Sequence, residues 1–308
     1  MHGLIGFGET VVDFLPKGID QGNPIFEACP GGSVANLTAV AASLGVNSAY
    51  IGGVGEDFFG HFLVDRIRSY GVDTSQVVYK KNYGTSLVFV HNLENDQRSY
   101  SYANRPSAEQ MLTMSELDID KITQYSILHV SSNIHYAGSS KETQKNLLKI
   151  AKNSGMIISY DINYRPNNHP SDERAFEDLS DALEFADIIK ATDEELELVT
   201  RKTGSEAAAV LFDRGARIVL ETLGSDGVAY YLPSASGRVP TQPVKVVDTT
   251  GAGDWFFAGF LTKMIELPDF NAFTEADVIA ACQYGNRAAG FSVTQSGAMI
   301  RLPEDFSL

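Results

Sequence analysis

The chain has little of several things that would have set its chemistry. Of its 308 residues only two are cysteine, Cys29 and Cys282. They have no metal-ligand spacing, and a pair so far apart reads as reduced thiols rather than a disulfide framework. Basic residues are also scarce: 24 Lys and Arg against 39 Asp and Glu leave a formal net charge of −15. That balance opposes non-specific binding to nucleic acid or to an anionic membrane surface. No run approaches the ~20 apolar residues of a membrane span. The opening Met1-His2-Gly3-Leu4-Ile5-Gly6 has no basic segment ahead of its apolar residues, which argues against a secretory signal. These absences favour a cytoplasmic protein with no nucleic-acid partner and no membrane. Internal repeats and low-complexity tracts are missing too, and tryptophan occurs once, at Trp255.

What is present is ordinary for a folded chain, 44% hydrophobic and 20% charged, at a length that suits about two domains or one large α/β domain with an attachment. Short apolar runs alternate with helical patterns, the mark of a largely parallel sheet with helices on both faces. Strands are predicted at 4–7, 48–53, 126–131, 156–161, 187–191, 217–222 and 228–232. Helices are predicted at 33–44, 58–70, 139–153, 175–186, 192–203, 254–265 and 276–291. Two regions break the alternation, 11–29 and 77–102. Within the second, 85–91 and 98–102 read as strands separated by turn residues at 92–97. These pieces are expected to form a small antiparallel sheet projecting from the main domain, with Tyr100 and Tyr102 on one side.

The most informative stretch is Val247-Asp248-Thr249-Thr250-Gly251-Ala252-Gly253-Asp254-Trp255-Phe256-Phe257, an apolar strand entering a small-residue turn and then an apolar helix. Small residues let first-turn amides approach an anion, and the helix dipole adds roughly half a positive charge. Asp254 falls in that first turn, where those amides favour an ionised, proton-accepting carboxylate. A carboxylate beside an anion hole suits phosphoryl transfer to a hydroxyl; an ordinary helix start would also fit these residues. Near the N-terminus, Gly6-Phe7-Gly8-Glu9 leads to Asp13, and Gly31-Gly32-Ser33-Val34-Ala35-Asn36 opens a helix. Strand ends of open α/β sheets bind ligands, so Asp13, Gly32 and Asn36 are candidates to hold a polyhydroxylated molecule. A dinucleotide oxidoreductase is disfavoured, because Gly6-Phe7-Gly8-Glu9-Thr10-Val11 puts Val11 where the fingerprint needs a small residue and Glu9 where pyrophosphate would sit.

Together these segments resemble the ribokinase-like, PfkB-type carbohydrate kinases, from Gly6 to about Pro303. The N-terminal signature is similar to Gly31-Gly32-Ser33-Val34-Ala35-Asn36 with Ile51-Gly52-Gly53-Val54-Gly55-Glu56-Asp57-Phe58-Phe59-Gly60, and the C-terminal one to Asp248-Thr249-Thr250-Gly251-Ala252-Gly253-Asp254. The resemblance implies a three-layer αβα sandwich with a mostly parallel central sheet, one domain over 1–308, and a β-sheet lid from about 11–30 and 77–106. It implies transfer of the ATP γ-phosphoryl group to a primary sugar hydroxyl, with Asp254 as base and Gly251, Ala252 and Gly253 as anion hole. Asp13, Gly32, Asn36, Tyr102, Asn104 and Arg165 would hold sugar. Lys190, Thr222, Gly224, Gly227 and Asn286 would face the nucleotide. Glu195 would organise Mg²⁺ through water, with Thr192 where relatives have Asn. Asp248 and Thr250 would belong to a K⁺ site. A homodimer through the lids is expected.

Glu9-Thr10-Val11-Val12-Asp13-Phe14 and Ser99-Tyr100-Ser101-Tyr102-Ala103-Asn104-Arg105 are closest to the fructokinase branch, so fructose is the leading substrate. Another sugar, 2-keto-3-deoxygluconate, a nucleoside, or a non-catalytic sensor on the same fold are the alternatives. Three departures stand out. The order Asn104-Arg105 reverses the usual Arg before Asn, which in an extended segment would turn the guanidinium to the opposite face. Trp255 stands where relatives carry a small residue, either as core or as bulk that narrows a pocket. Pro166-Asn167-Asn168-His169-Pro170 replaces an apolar pair.

Overall fold

The computed structural model describes residues 2–92, 98–132, 138–169 and 171–303. Its centre is a nine-stranded sheet in the order β13-β12-β11-β10-β9-β8-β1-β4-β5. From β5 to β11 every neighbouring pair in that order is parallel. The inner strands β1 (Leu4–Phe7), β4 (Ser48–Gly55) and β8 (Ile127–Ser131) are buried along their whole length. β9 (Ile157–Asp161), β10 (Ile188–Thr192) and β11 (Ile218–Thr222) are nearly so. Such continuous apolar strands require helices on both faces.

Alternate side chains of these strands feed two cores. Ile5, Leu128, Ile158, Ile189 and Val219 pack with α3 (Ile119–Ile122), α4 (Ser139–Asn153), α5 (Asp172–Leu183), α6 (Asp193–Thr200) and α7 (Gly204–Asp213). Leu4, Ile127, Ile188 and Ile218 pack with α1 (Ser33–Ser43), α8 (Ala252–Ile265) and α9 (Glu275–Ser292), and α2 (Phe58–Arg68) joins that side through Ile67. The sandwich therefore has three layers, as the resemblance implied. β12 (Val228–Leu232) and β13 (Ala235–Val239) close one edge as antiparallel strands.

A second sheet stands apart in the order β3-β2-β6-β7, from β2 (Val11–Asp20), β3 (Asn23–Gly31), β6 (Leu87–Asn92) and β7 (Arg98–Ala103). It departs from expectation in two ways. β2 and β6 run parallel, so the sheet is mixed. And β5 (Asp73–Lys80), which takes in 77–80 of the expected lid, pairs with β4 in the main sheet. Register explains the second point: Gly52 to Gly55 of β4 offer a free edge to Val77 through Lys80, and the chain turns away only afterwards. Of the turn expected at 92–97, residues 93–97 lie outside the described residues. Phe14 stacks on Phe89 at 4.8 Å with Phe26 and Phe59 edge-on, which puts the aromatic cluster on the face opposite Asp13.

The helix predicted at 192–203 is α6, which ends at Thr200; α7 begins only at Gly204. Arg201 adopts a left-handed φ of 60° at the end of α6, a conformation usually left to glycine. No described helix is long and apolar enough to cross a membrane.

Candidate active site

Because the strands are parallel, their carboxyl ends bring β1, β8, β9, β10 and β11 to one edge of the sheet. There Gly251, with a φ of +76°, caps the start of α8. A Cβ on Gly251 would lie 2.7 Å from the Ala298 Cβ and would force an unfavourable φ as well. Gly251→Ala is therefore expected to lower stability by about 1–3 kcal/mol and to displace the turn, cutting kcat more than the KM for sugar. A variant with unchanged melting temperature and rate would contradict this.

Asp254 lies in the first turn of α8 and is 8% exposed. Its Oδ2 accepts a hydrogen bond from Asn36 Nδ2 at 2.8 Å, so α1 and α8 together aim the carboxyl group. Burial, reinforced by the nearby charge of Asp161, pushes its pKa up to about 6, against the lowering effect of Asn36 and Lys190. Desolvation thus outweighs the first-turn amides, and a group near 6 still stays largely ionised and accepting at neutral pH.

Below that turn lies a buried ion pair. Lys190 Nζ donates to both oxygens of Asp161 at 2.9 Å, and it sits 3.0 Å from where a Gly253 Cβ would be. Burial would lower the Lys190 pKa, but Asp161, then Glu195, hold it above the ordinary lysine value. Glu195 is also buried, which raises its pKa. Its two oxygens accept the amides of Tyr164 at 2.7 Å and Thr192 at 2.9 Å, with Thr192 capping α6 in return. The capping role of Thr192 and the placement of Glu195 beneath the site coexist.

A cavity of about 150 Å³ opens between α8, α1 and the second sheet, smaller than the ~300–1,000 Å³ of sites for drug-sized ligands. Of the expected sugar residues, Asp13, Gly32, Asn36, Tyr102 and Arg165 line it, together with Thr250, Gly251 and Asp254. Gly31 and Gly32 are required here, since a Cβ on the first would overlap the Asp13 carboxylate and one on the second the backbone of Glu9 and Thr10.

Asn104 is a correction. It does not line the cavity; with φ +59° its side chain donates to the Thr85 carbonyl at 3.0 Å. The segment is not extended, so Arg105 is not simply turned over. Its guanidinium lies 3.7 Å from the Tyr102 ring centre and donates to Asn168 Oδ1 at 3.2 Å, bracing the lid side of the cavity.

Trp255 is core. It is fully buried, and its indole N–H donates to the Ala298 carbonyl at 2.8 Å. It lines neither the cavity nor the groove described next, so it does not narrow a pocket.

A groove of about 640 Å³ runs along β13 and α9, lined by Val239, Val244, Asn286 and Thr294 among others. Asn286 Nδ2 donates to the Val239 carbonyl at 2.9 Å and to the Pro240 carbonyl at 3.3 Å. Lys190, Thr222, Gly224 and Gly227 line neither opening. Gly224 has open space beyond its Cα, whereas a Cβ on Gly227 would strike the Val239 carbonyl; Gly227 thus serves the turn. Thr222 donates to the Ala191 carbonyl at 3.3 Å. Asp248 accepts from Thr250 through one oxygen and from the Gly297 amide at 3.0 Å through the other, tying the turn to the late loop. Among the described residues no cluster of three or more His, Cys, Asp or Glu side chains could hold a metal.

Glu9, Ser86, Glu109 and Asn163 also line the cavity. Glu109 had no visible motif: within Ser107-Ala108-Glu109-Gln110 it reads as a polar turn, and only tertiary packing buries it.

Solved structures share this architecture over almost the whole chain. Fructokinase from Xylella fastidiosa with bound ATP has a TM-score of 0.91 at 27% identity, covering 98% of this chain and 95% of that one. Fructokinase from Vibrio cholerae O395 was solved in a fructose-, ADP- and calcium-bound form and, as a double mutant, with fructose, ADP and potassium. Both forms have a TM-score of 0.87 at 29% identity over 98% and 96% of the two chains. The large sheet with a small second sheet is thus the fold of sugar kinases. The chain belongs to the pfkB family of carbohydrate kinases, whose model matches residues 4–305. Fructokinase-2 of Solanum habrochaites is 33% identical over 305 residues, 97% of this chain and 93% of that protein.

Proposed function

We propose that this carbohydrate kinase is a fructokinase, transferring the γ-phosphoryl group of ATP to a primary hydroxyl of fructose. The observation that carries the reading is the buried Asp254 carboxyl group, oriented by Asn36, where a monosaccharide-sized cavity meets the small-residue N-terminus of α8. A sugar hydroxyl in that cavity would lie within reach of a base whose pKa is near 6, a value matched to proton transfer at neutral pH. The turn from Gly251 to Gly253 would hold the transferred group, with the Lys190 ammonium beneath it adding positive charge. Asp13, Gly32, Asn36, Tyr102 and Arg165 would hold sugar.

The relatives bound to fructose and to ATP or ADP support the pairing of this sugar with this nucleotide. The cavity's charge supports a neutral sugar: Glu9, Asp13, Glu109 and Asp254 face a single guanidinium, Arg165, which disfavours 2-keto-3-deoxygluconate. ATP would lie along the groove beside Asn286, whose lining includes the exposed Val244 with Val239 and Phe291, apolar surface suited to a purine. Mg²⁺ when bound would neutralise charge on the phosphates. With both Glu195 oxygens engaged by amides, this chain would hold it through water and phosphate, as Mg²⁺ commonly is held. K⁺ would lie among the carbonyls of the loop that Asp248 ties down. The exposed Ile19 and Ile25 at the tip of the lid hairpin support a dimer through the lids.

The test is ADP release from ATP and Mg²⁺ with fructose, ribose, other hexoses, 2-keto-3-deoxygluconate and adenosine, each run with K⁺ and with a large organic cation. Fructose should give the highest kcat/KM, K⁺ should raise it, and release without sugar should be low because lid closure excludes water. Equal release with and without sugar would contradict the lid role. Equal rates in the two cations would remove K⁺.

A further inference from the structure

The lid side of the cavity contains a carboxyl group that the chemistry of phosphoryl transfer does not use. Glu109 is 3% exposed, and Ser107 Oγ donates to its Oε1 at 2.6 Å. Among the described residues its Oε2 is buried and closes no hydrogen bond of 3.5 Å or less, and the same is true of Ser86 Oγ, although the two side chains lie near enough for the Ser86 hydroxyl to act on the Glu109 carboxyl group. Both residues line the cavity. A buried polar atom without a partner is costly unless something else satisfies it, and here two of them border the same small space.

The backbone around Glu109 is fixed. The Ala108 amide donates to the Gly84 carbonyl at 3.0 Å. Ser140 Oγ donates to the Glu109 carbonyl at 2.7 Å, and Gln110 Oε1 accepts the Ser107 amide at 3.1 Å. β4 lies so close that a Cβ on Gly53 would fall 2.4 Å from the Ala108 carbonyl oxygen. The carboxyl group is therefore held in place before any ligand arrives, as a recognition group should be.

We propose that Glu109, with Ser86, is a sugar-recognition pair: Glu109 Oε2 and Ser86 Oγ hydrogen-bond a hydroxyl of a neutral monosaccharide and turn away a sugar bearing a carboxylate. The inference rests on the reading of this cavity as the sugar site. Hydroxyls both donate and accept, so one can satisfy Oε2 and Ser86 Oγ together. A ligand carboxylate can only accept, and would add its charge to those of Glu9, Asp13 and Asp254. Burial pushes the Glu109 pKa up to about 7, against the lowering effects of Ser107, Ser86 and Arg105. The group can thus serve as donor or acceptor near neutrality.

The test is steady-state kinetics with fructose and with 2-keto-3-deoxygluconate for wild type, Glu109→Leu, Glu109→Gln and Ser86→Ala, with the KM for ATP measured in parallel. Glu109→Leu should raise the KM for fructose about tenfold or more, the order expected when a buried hydroxyl loses its partner, with the KM for ATP unchanged within about twofold. Glu109→Gln should recover most of that loss but narrow the preference for fructose over the acid, and Ser86→Ala should raise the fructose KM about threefold. A folded Glu109→Leu with the wild-type fructose KM, or with both KM values rising together, overturns the proposal. If Glu109→Leu does not fold, Ser86→Ala decides by the same criteria. Wild-type enzyme that turns over no fructose overturns both this inference and the reading of the cavity. Fructose turnover indifferent to Glu109 overturns this inference alone.

Discussion

Asp254→Asn is expected to lower kcat by about 10²- to 10⁴-fold, the contribution of a positioned general base, while the folded protein becomes more stable. Both effects come from the same burial. The wild-type carboxyl group titrates near 6 in the folded protein, above its ordinary value of 3.8. Between those values the folded state binds the extra proton, so stability falls as pH rises through that window. The loss amounts to about 3 kcal/mol by linkage. Asparagine stays neutral and avoids that cost at pH 7, so the variant should melt higher and show a flatter stability profile between pH 4 and 6. In the wild type, kcat should fall as pH drops below about 6, because the protonated group cannot accept. A variant that keeps its rate, or a rate that does not fall below pH 6, would count against Asp254 as the base.

Lys190→Met carries the second large effect. Removing the ammonium leaves Asp161, Glu195 and Asp254 as buried carboxyl groups with no cation among them, and breaking a buried pair in this way costs about 3–5 kcal/mol. Lys190 lowers the pKa of Asp254, so its loss should move the acid limb of the pH–rate profile to higher pH. That shift separates an electrostatic role from a merely structural one, which would lower the melting temperature and leave the limb in place. Asp161→Asn should also destabilise, by leaving Lys190 without its closest partner. It should move the limb the opposite way, since Asp161 raises the Asp254 pKa.

The parts of the fold legible in the sequence are those in which local pattern and tertiary role coincide. β1, β8, β9, β10 and β11 are short apolar runs because the sheet is covered on both sides, and the turn from Gly251 to Gly253 is small because Ala298 crowds Gly251 and the Lys190 ammonium crowds Gly253. Residues 77–80 of β5 read as part of the lid because the residues that follow them are there; only their pairing with β4 places them in the main sheet. β13, Ala-Ser-Gly-Arg-Val, has few strand formers and is held by β12 at an edge. Arg201 breaks the helix predicted over 192–203 in a conformation that sequence assigns to glycine. Of the residues lining the cavity, the two signatures contain Asp254, Asn36 and Gly32, and the end of the first strand pointed to Asp13. The raised pKa of Asp254, the position of Asn104 outside the cavity and the burial of Glu109 each depend on which surfaces meet, and no local pattern records that.

The most direct test of the account is phosphorus NMR of wild type and Asp254→Asn, each given ATP, Mg²⁺, K⁺ and fructose. The account predicts that wild type converts the γ-phosphate into a phosphomonoester coupled to two protons, the mark of a CH₂–O–phosphate, and that the folded variant does so at least about a hundredfold more slowly. Inorganic phosphate as the only product, or the same ester formed at the same rate by both proteins, would contradict it.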